Sequence, residues 1–378
     1  MDNQTNGKQK STDFTFLFVY AVAALMVIIA HGNGGGFLGA YDWYAWGPQA
    51  VALFSFSSGF FYKSSYAKDP GKYILRQFKK LILPLYGCSL FYGILTTLLL
   101  KRGFAYGKSI GLKTLLIDPL TDTHQFLFTQ ALWYIPAILI VSIVFTLLVR
   151  LSREPDGVRF ASAVFVLFLA AGILGSYAGI QCEGETEAIV ILRAMYLMPF
   201  YAAGYLYRRI ADKVSRIPNM LYFTVLFVIM LFLIIHYREL LIFHPSWFKD
   251  FYKGPVIPYV IGFCQIAFWL RVGKIMEPVT KESALIRLIA DNTYDIVAHH
   301  LLGFFLVKCI FAALHSWAGL YPDFDSAAFH TNFQYFYLPG GVTQSMLIYT
   351  AAGVALPLIW VILKKKIRKA IQNRTAET

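Results

Sequence analysis

The sequence predicts an all-α, polytopic integral membrane protein of about ten transmembrane helices with both termini cytoplasmic. Three observations carry that prediction. Of 378 residues, 57% are hydrophobic and only 15% are charged, far from the mixture of a soluble globular domain. Apolar segments near bilayer length recur from Phe14 to Leu363 with short connections between them, and about twenty apolar residues make one helical crossing. Lys and Arg alternate between successive connections. With the N-terminus inside, 25 fall on the cytoplasmic side and 8 on the other, and Lys308 lies within a span, as the positive-inside rule requires.

The spans are predicted at 14–31, 48–62, 80–100, 131–149, 160–180, 188–207, 219–236, 255–271, 291–314 and 342–363. Residues 1–12 read as a cytoplasmic tail, 13–364 as the membrane domain and 365–378 as a basic cytoplasmic tail. The first span follows a polar dodecamer and stops at His31 and a glycine-rich stretch, "HGNGGG", rather than at a small-residue cleavage site, so it is read as retained and not as a signal peptide. The glycines suit a close backbone turn, and Trp43, Tyr44 and Trp46 beyond them suit the membrane interface. The stretch 108–128, broken by charges and Pro119, is assigned to the surface. The net charge of +13 is spread over span ends, which points to membrane topology and away from nucleic acid. Cys88, Cys264 and Cys309 sit in apolar runs and Cys182 in a loop, which leaves neither a disulfide framework nor a CxxC metal pair.

Ionisable groups inside the apolar slab are costly and face a bundle interior or a wet cavity. The candidates are His31, Arg193, Asp295, His299, His300 and Lys308. His31 is either an interfacial histidine closing a helix or a functional imidazole. His299 and His300 are adjacent, so on a helix they diverge by about 100° and do not share one metal. Lys308, two turns beyond His300, reads as a lysine that snorkels. In "KDPGKYILRQFKKLILP", Lys72, Arg76, Lys79 and Lys80 are spaced to share one helix face. They serve either topology and anionic lipid, or the phosphates of a cytosolic anionic donor. No HExxH, GxSxG, Walker loop or GxGxxG is present.

Several stretches together resemble the family-three membrane acyltransferases, which modify bacterial cell-surface polysaccharides. "AVAALMVIIAH" resembles the family's first span, ending at His31; "VALFSFSSGFFY" its Ser-Gly-Phe element at Ser58, Gly59 and Phe60; and "YILRQFKKLILPLY" its basic cluster and proline. "ALWYIPA" is similar to the element at Trp133, "MPFYAAGYLY" to that at Pro199 and Gly204, and "NTYDIVAHH" to the late element ending at His300. The matches run in family order over roughly 14–310, and ten spans is the family number. One position departs: the family carries an arginine eleven residues before the first-span histidine, and this chain has Tyr20. The role of that arginine is either absent here or supplied by another cation such as Arg193 or Arg76.

The resemblance implies an O-acyltransferase in the bacterial plasma membrane that moves an acyl group, acetyl in the first instance, from acetyl-CoA to a hydroxyl of a cell-surface or lipid-linked glycan. Imidazole suits the base that a hydroxyl nucleophile needs. His31 and His300 are therefore the expected catalytic groups, and Lys72, Arg76, Lys79 and Lys80 the CoA-phosphate ligands. Ser58, Trp133, Arg193, Asp295 and His299 are expected in support, with Asp295 available to fix a histidine tautomer. No metal is expected; membrane lipid, the glycan acceptor and polysaccharide-synthesis proteins are the expected partners, and nucleic acid is not. Two other readings use the same residues: a glycan transporter or flippase, and a non-catalytic partner of a polysaccharide synthase.

Overall fold

A computed structural model of the chain describes residues 2–32, 46–182, 188–237, 243–248, 251 and 254–377. The glycine-rich stretch after Gly32 and Trp43 and Tyr44 lie outside the described residues. Among those described, the architecture is helical with no strand, and every predicted span contains a helix. These are α1 (Asp2–His31), α2 (Trp46–Phe60), α3 (Pro70–Leu100), α4 (Tyr134–Leu151), α5 (Val158–Gln181), α6 (Ile189–Ser215), α7 (Asn219–Tyr237), α8 (Ile257–Ile275), α9 (Thr293–Ala318) and α10 (Met346–Glu377). Eight are long and apolar enough to cross a membrane; α2 is shorter, and α8 carries Arg271 and Lys274 at its end. Helix α1 begins at Asp2 and α10 continues to Glu377, so helix runs on through most of both predicted tails.

Local sequence accounts for the helix ends. Asp69 caps α3 by accepting the Lys72 backbone N–H at 3.0 Å, with Pro70 in the first turn where its missing N–H costs nothing. Pro84 cannot donate and crowds the carbonyl four residues back. The chain answers with a π-turn over Phe78–Ile82, in which Leu83 N–H reaches the Phe78 carbonyl. Gly319, at φ +63°, closes α9.

Helix α1 is the seam between two cores. Phe16, Val19, Ala23, Met26 and Val27 pack into one, formed with α2, α4, α5, α6 and α8. Ala21, Ala24 and Ile28, on the other side of the same helix, pack into the second, with α3, α9, α10 and the segment around 324–337. The apolar outer faces of α3 and α7, including Leu90, Ile94, Leu98, Phe227 and Ile235, stay exposed, as lipid-facing residues do.

Two glycines from the resembling motifs hold α2 on α6. A Cβ on Gly59 would lie 1.9 Å from the Tyr201 carbonyl oxygen, and one on Gly204 would lie 1.9 Å from that of Phe56. The backbones touch, as small residues permit between membrane helices. Ser55 donates to the Leu197 carbonyl at 2.9 Å across the same seam.

The stretch 108–128 differs from its surface assignment. Its first part is exposed, with a short helix at Leu112–Leu116, but Asp118, Pro119, Thr123, Gln125, Phe126 and Phe128 are buried. The aromatic and small residues after Pro119 fold back among α3 and α9, with Phe126 against Gly93, and burial of that apolar set outweighs the charges that break the segment.

Candidate active site

His31 ends α1, and His300 lies two turns into α9. Their rings stand 5.0 Å apart, centroid to centroid, with 62° between planes. His31 Nδ1 is 2.8 Å from the Val27 carbonyl, and His300 Nδ1 is 2.9 Å from that of Val297. A carbonyl only accepts, so each Nδ1 carries the proton and each neutral ring keeps its lone pair on Nε2. His300 is fully buried, and among the described residues its Nε2 has no hydrogen-bond partner. Gly353 of α10 brings that helix against both sides of the pair, since a Cβ there would meet Phe304, Ile28 and the His300 Cβ.

A second polar group sits at the same end. Arg193, near the start of α6, is fully buried. Its guanidinium donates to the Ser246 carbonyl at 2.8 Å and the Asp122 carbonyl at 3.1 Å, and lies over the rings of Trp133 (5.7 Å) and Trp247 (6.0 Å). His124 Nδ1 donates to the Asp122 carbonyl at 2.8 Å, and its ring lies 4.1 Å from that of Trp247. His124 is close enough to His31 to act on it electrostatically. Burial, with Arg193 beside it, pushes the His124 imidazole below its ordinary value, against the pull of Asp122. Burial opposes ionisation of Asp122, but His124 and Lys108, 3.4 Å away, hold its carboxyl down at about 2.

Consecutive in sequence, His299 and His300 face different neighbours. His299 turns toward α3, where its Nδ1 is 2.7 Å from the Tyr92 hydroxyl. Asp295 and Lys364 act on His299 electrostatically, while the proton on His300 Nδ1 is fixed by the Val297 carbonyl. Asp295 is thus a neighbour of His299, and backbone does for His300 what a carboxylate was expected to do.

Lys308 does not snorkel. It is 1% exposed, donates to the Phe333 carbonyl at 2.8 Å, and sits among the rings of Tyr106, Phe333 and Phe336. Segment 324–337 folds over α9, tied down there by Tyr106, whose hydroxyl donates to the Phe329 carbonyl, and this roof encloses the amine.

The basic cluster lies at the opposite end of the bundle from the histidines. Phe16 of α1 meets Phe60 and Phe61, and Tyr62 leads to Tyr66 and Tyr73 of α3, whereas His31 stands fifteen residues, about 22 Å, farther along α1. Lys72, Arg76, Lys79 and Lys80 are all exposed, the first two on regular α-helix and the last two within the π-turn. Arg76 is therefore remote from His31, and of the two candidate substitutes for the missing arginine only Arg193 is brought to the histidine end. Tyr20 itself stacks on Phe54 at 6.0 Å, which in turn meets Tyr134. Ser58 bonds to its own helix, at the Phe54 carbonyl.

Sequence reasoning missed Tyr92, Asp122, His124 and Trp247. The Asp-x-His spacing of Asp122 and His124 was the available signal. Among the described residues no group of three His, Cys, Asp or Glu side chains could hold a metal ion.

No curated protein and no solved structure matches the chain. A family model described as an acyltransferase domain matches residues 20–365, nearly its whole length. That match shows that the chain belongs to the acyltransferase-3 family of membrane acyltransferases.

Proposed function

We propose that the chain transfers an acetyl group from acetyl-CoA to a hydroxyl of a cell-surface polysaccharide or lipid-linked glycan, in a bacterial plasma membrane with both termini cytoplasmic. The observation that carries this reading is the His31–His300 pair, with both Nδ1 protons tied to carbonyls and the lone pairs left on Nε2. A sugar hydroxyl gives its proton to Nε2 of His31 as its oxygen adds to the thioester carbonyl carbon. The tetrahedral adduct collapses, the C–S bond breaks, and CoA leaves as thiolate that takes up the proton His31 accepted, passed on through Nε2 of His300 as the second acid/base. Lys72, Arg76, Lys79 and Lys80 grip the CoA phosphates from the cytoplasm. The pantetheine arm carries the thioester into the bundle, and the acceptor arrives at the other end. Arg193 and Trp133 support the loop that carries His124 beside this site, and Ser58 supports α2.

The test is CoA release from acetyl-CoA by purified protein with a polysaccharide acceptor. Replacing a general base costs about 10²–10⁴-fold, so His31→Ala is expected to fall by that factor. Equally slow CoA release by purified His31→Ala and wild type, together with glycan export in cells that depends on the protein, would instead favour transport.

A further inference from the structure

His299 and His300 carry opposite tautomers. The Tyr92 hydroxyl is fully buried, stacked on Phe128 at 5.4 Å, and among the described residues its hydrogen-bond partner is His299 Nδ1 at 2.7 Å. If Nδ1 donated to the phenol oxygen, the hydroxyl proton would be buried with no acceptor, which is the costlier arrangement. Tyr92 therefore donates, Nδ1 of His299 is bare, and the proton of the neutral ring sits on Nε2. His300 is the reverse, a lone pair on Nε2. One helix thus presents a fixed N–H donor on its α3 side and a fixed base toward α1.

The α3 side is the donor's side. Helix α3 carries the basic cluster at its start and, farther along, Cys88 and Tyr92. Asp295 and Lys364 stand within electrostatic reach of both His299 and Cys88, so charged side chains of α9 and α10 form a polar lining beside these two residues of α9 and α3. His299 is only half-buried on that lining.

We infer that His299 Nε2–H is the hydrogen-bond donor that receives the carbonyl oxygen of the acyl-thioester arm between α3 and α9, and that Tyr92 is the positioning residue that holds His299 in the donating tautomer. This rests on the acyltransfer reading above and adds where the arm runs and what holds it. The N–H fixes the thioester beside the base on the neighbouring face, and its bond to the carbonyl oxygen strengthens as that oxygen gains charge in the tetrahedral adduct.

The experiment compares two donors on the full-length protein: acetyl-CoA and acetyl-pantetheine, the same thioester without the nucleotide. Loss of one hydrogen bond predicts that His299→Phe raises the donor KM about tenfold for both donors. The acceptor KM stays within about twofold. His299→Gln, which restores an N–H near the Nε2 position, keeps most of the affinity, and Tyr92→Phe raises donor KM about three- to tenfold. Arg76→Ala with Lys79→Ala and Lys80→Ala, by contrast, raises KM for acetyl-CoA alone. An unchanged donor KM in His299→Phe, an acceptor KM that moves with it, or a His299→Gln as impaired as His299→Phe overturns the inference. Should His299→Phe not fold, Tyr92→Phe, which loses a single oxygen, decides on the same criterion. A wild-type protein that releases no free thiol, CoA or pantetheine, from either donor overturns the acyltransfer reading itself, a result seen before any variant is made.

Discussion

At the residue scale the site is a matter of which nitrogen holds a proton. If His31 and His300 act as one unit, removing either removes the unit. His31→Ala and His300→Ala should each lower kcat by about 10²–10⁴-fold, with the double variant little worse than the poorer single one; multiplicative losses in steady-state kinetics would separate their roles. His124 makes a different prediction. Its folded value lies below the ordinary 6.5, so the unfolded chain takes up the proton first. The stability that rests on a neutral His124 is then complete above about pH 6.5 and is lost as pH falls below it. Thermal unfolding in detergent should show a decline from pH 7.5 to pH 5.5 that His124→Asn flattens. His31 and His300 were legible in the sequence because an imidazole in an apolar run demands a reason. His124 was not, because in a polar loop a histidine stands out from nothing, and only folding of that loop against Arg193 gives it a role. Tyr92 was hidden for the opposite reason: a tyrosine in a span looks like packing until its hydroxyl is found 2.7 Å from a ring nitrogen.

At the element scale, helix positions followed from apolar length and from loop charge, so every predicted span holds a helix. What spacing does not encode is contact. The Ser-Gly-Phe and Pro-Phe-to-Gly stretches carry glycines whose work is to let α2 and α6 touch backbone to backbone. Gly59→Ala and Gly204→Ala should each destabilise the bundle by about 3 kcal/mol or more, since a methyl group cannot share space with a carbonyl oxygen. Gly87→Ala, where nothing lies within 4 Å of the added carbon, should be neutral or stabilising by up to about 1 kcal/mol. Unfolding midpoints of the three purified variants check this directly. The π-turn in α3 was equally out of reach: Pro84 announces trouble, but whether a helix kinks, breaks or widens depends on what packs beside it.

At the scale of the whole molecule, the exposed Lys72, Arg76, Lys79 and Lys80 stand at one end and the buried imidazoles and Arg193 at the other, with α1 running between them. The cysteines offer a test of which end faces out. Cys182 is exposed at the end of α5, close to Gly179, which abuts Phe248 in the segment that holds Arg193; Cys88 and Cys264 are buried and Cys309 partly so. A membrane-impermeant maleimide should label intact cells through Cys182, and Cys182→Ser should abolish the label; labelling only after permeabilisation would invert the topology. Sidedness also gives meaning to the paired histidines. They are the same letter twice, yet they are not redundant copies, because a helix turns by about 100° between them. Their order along the chain acts as a polarity: inserting one residue before His299 would carry its ring to the place of His300 and turn the second imidazole off the site, leaving the composition intact while emptying the α3 side.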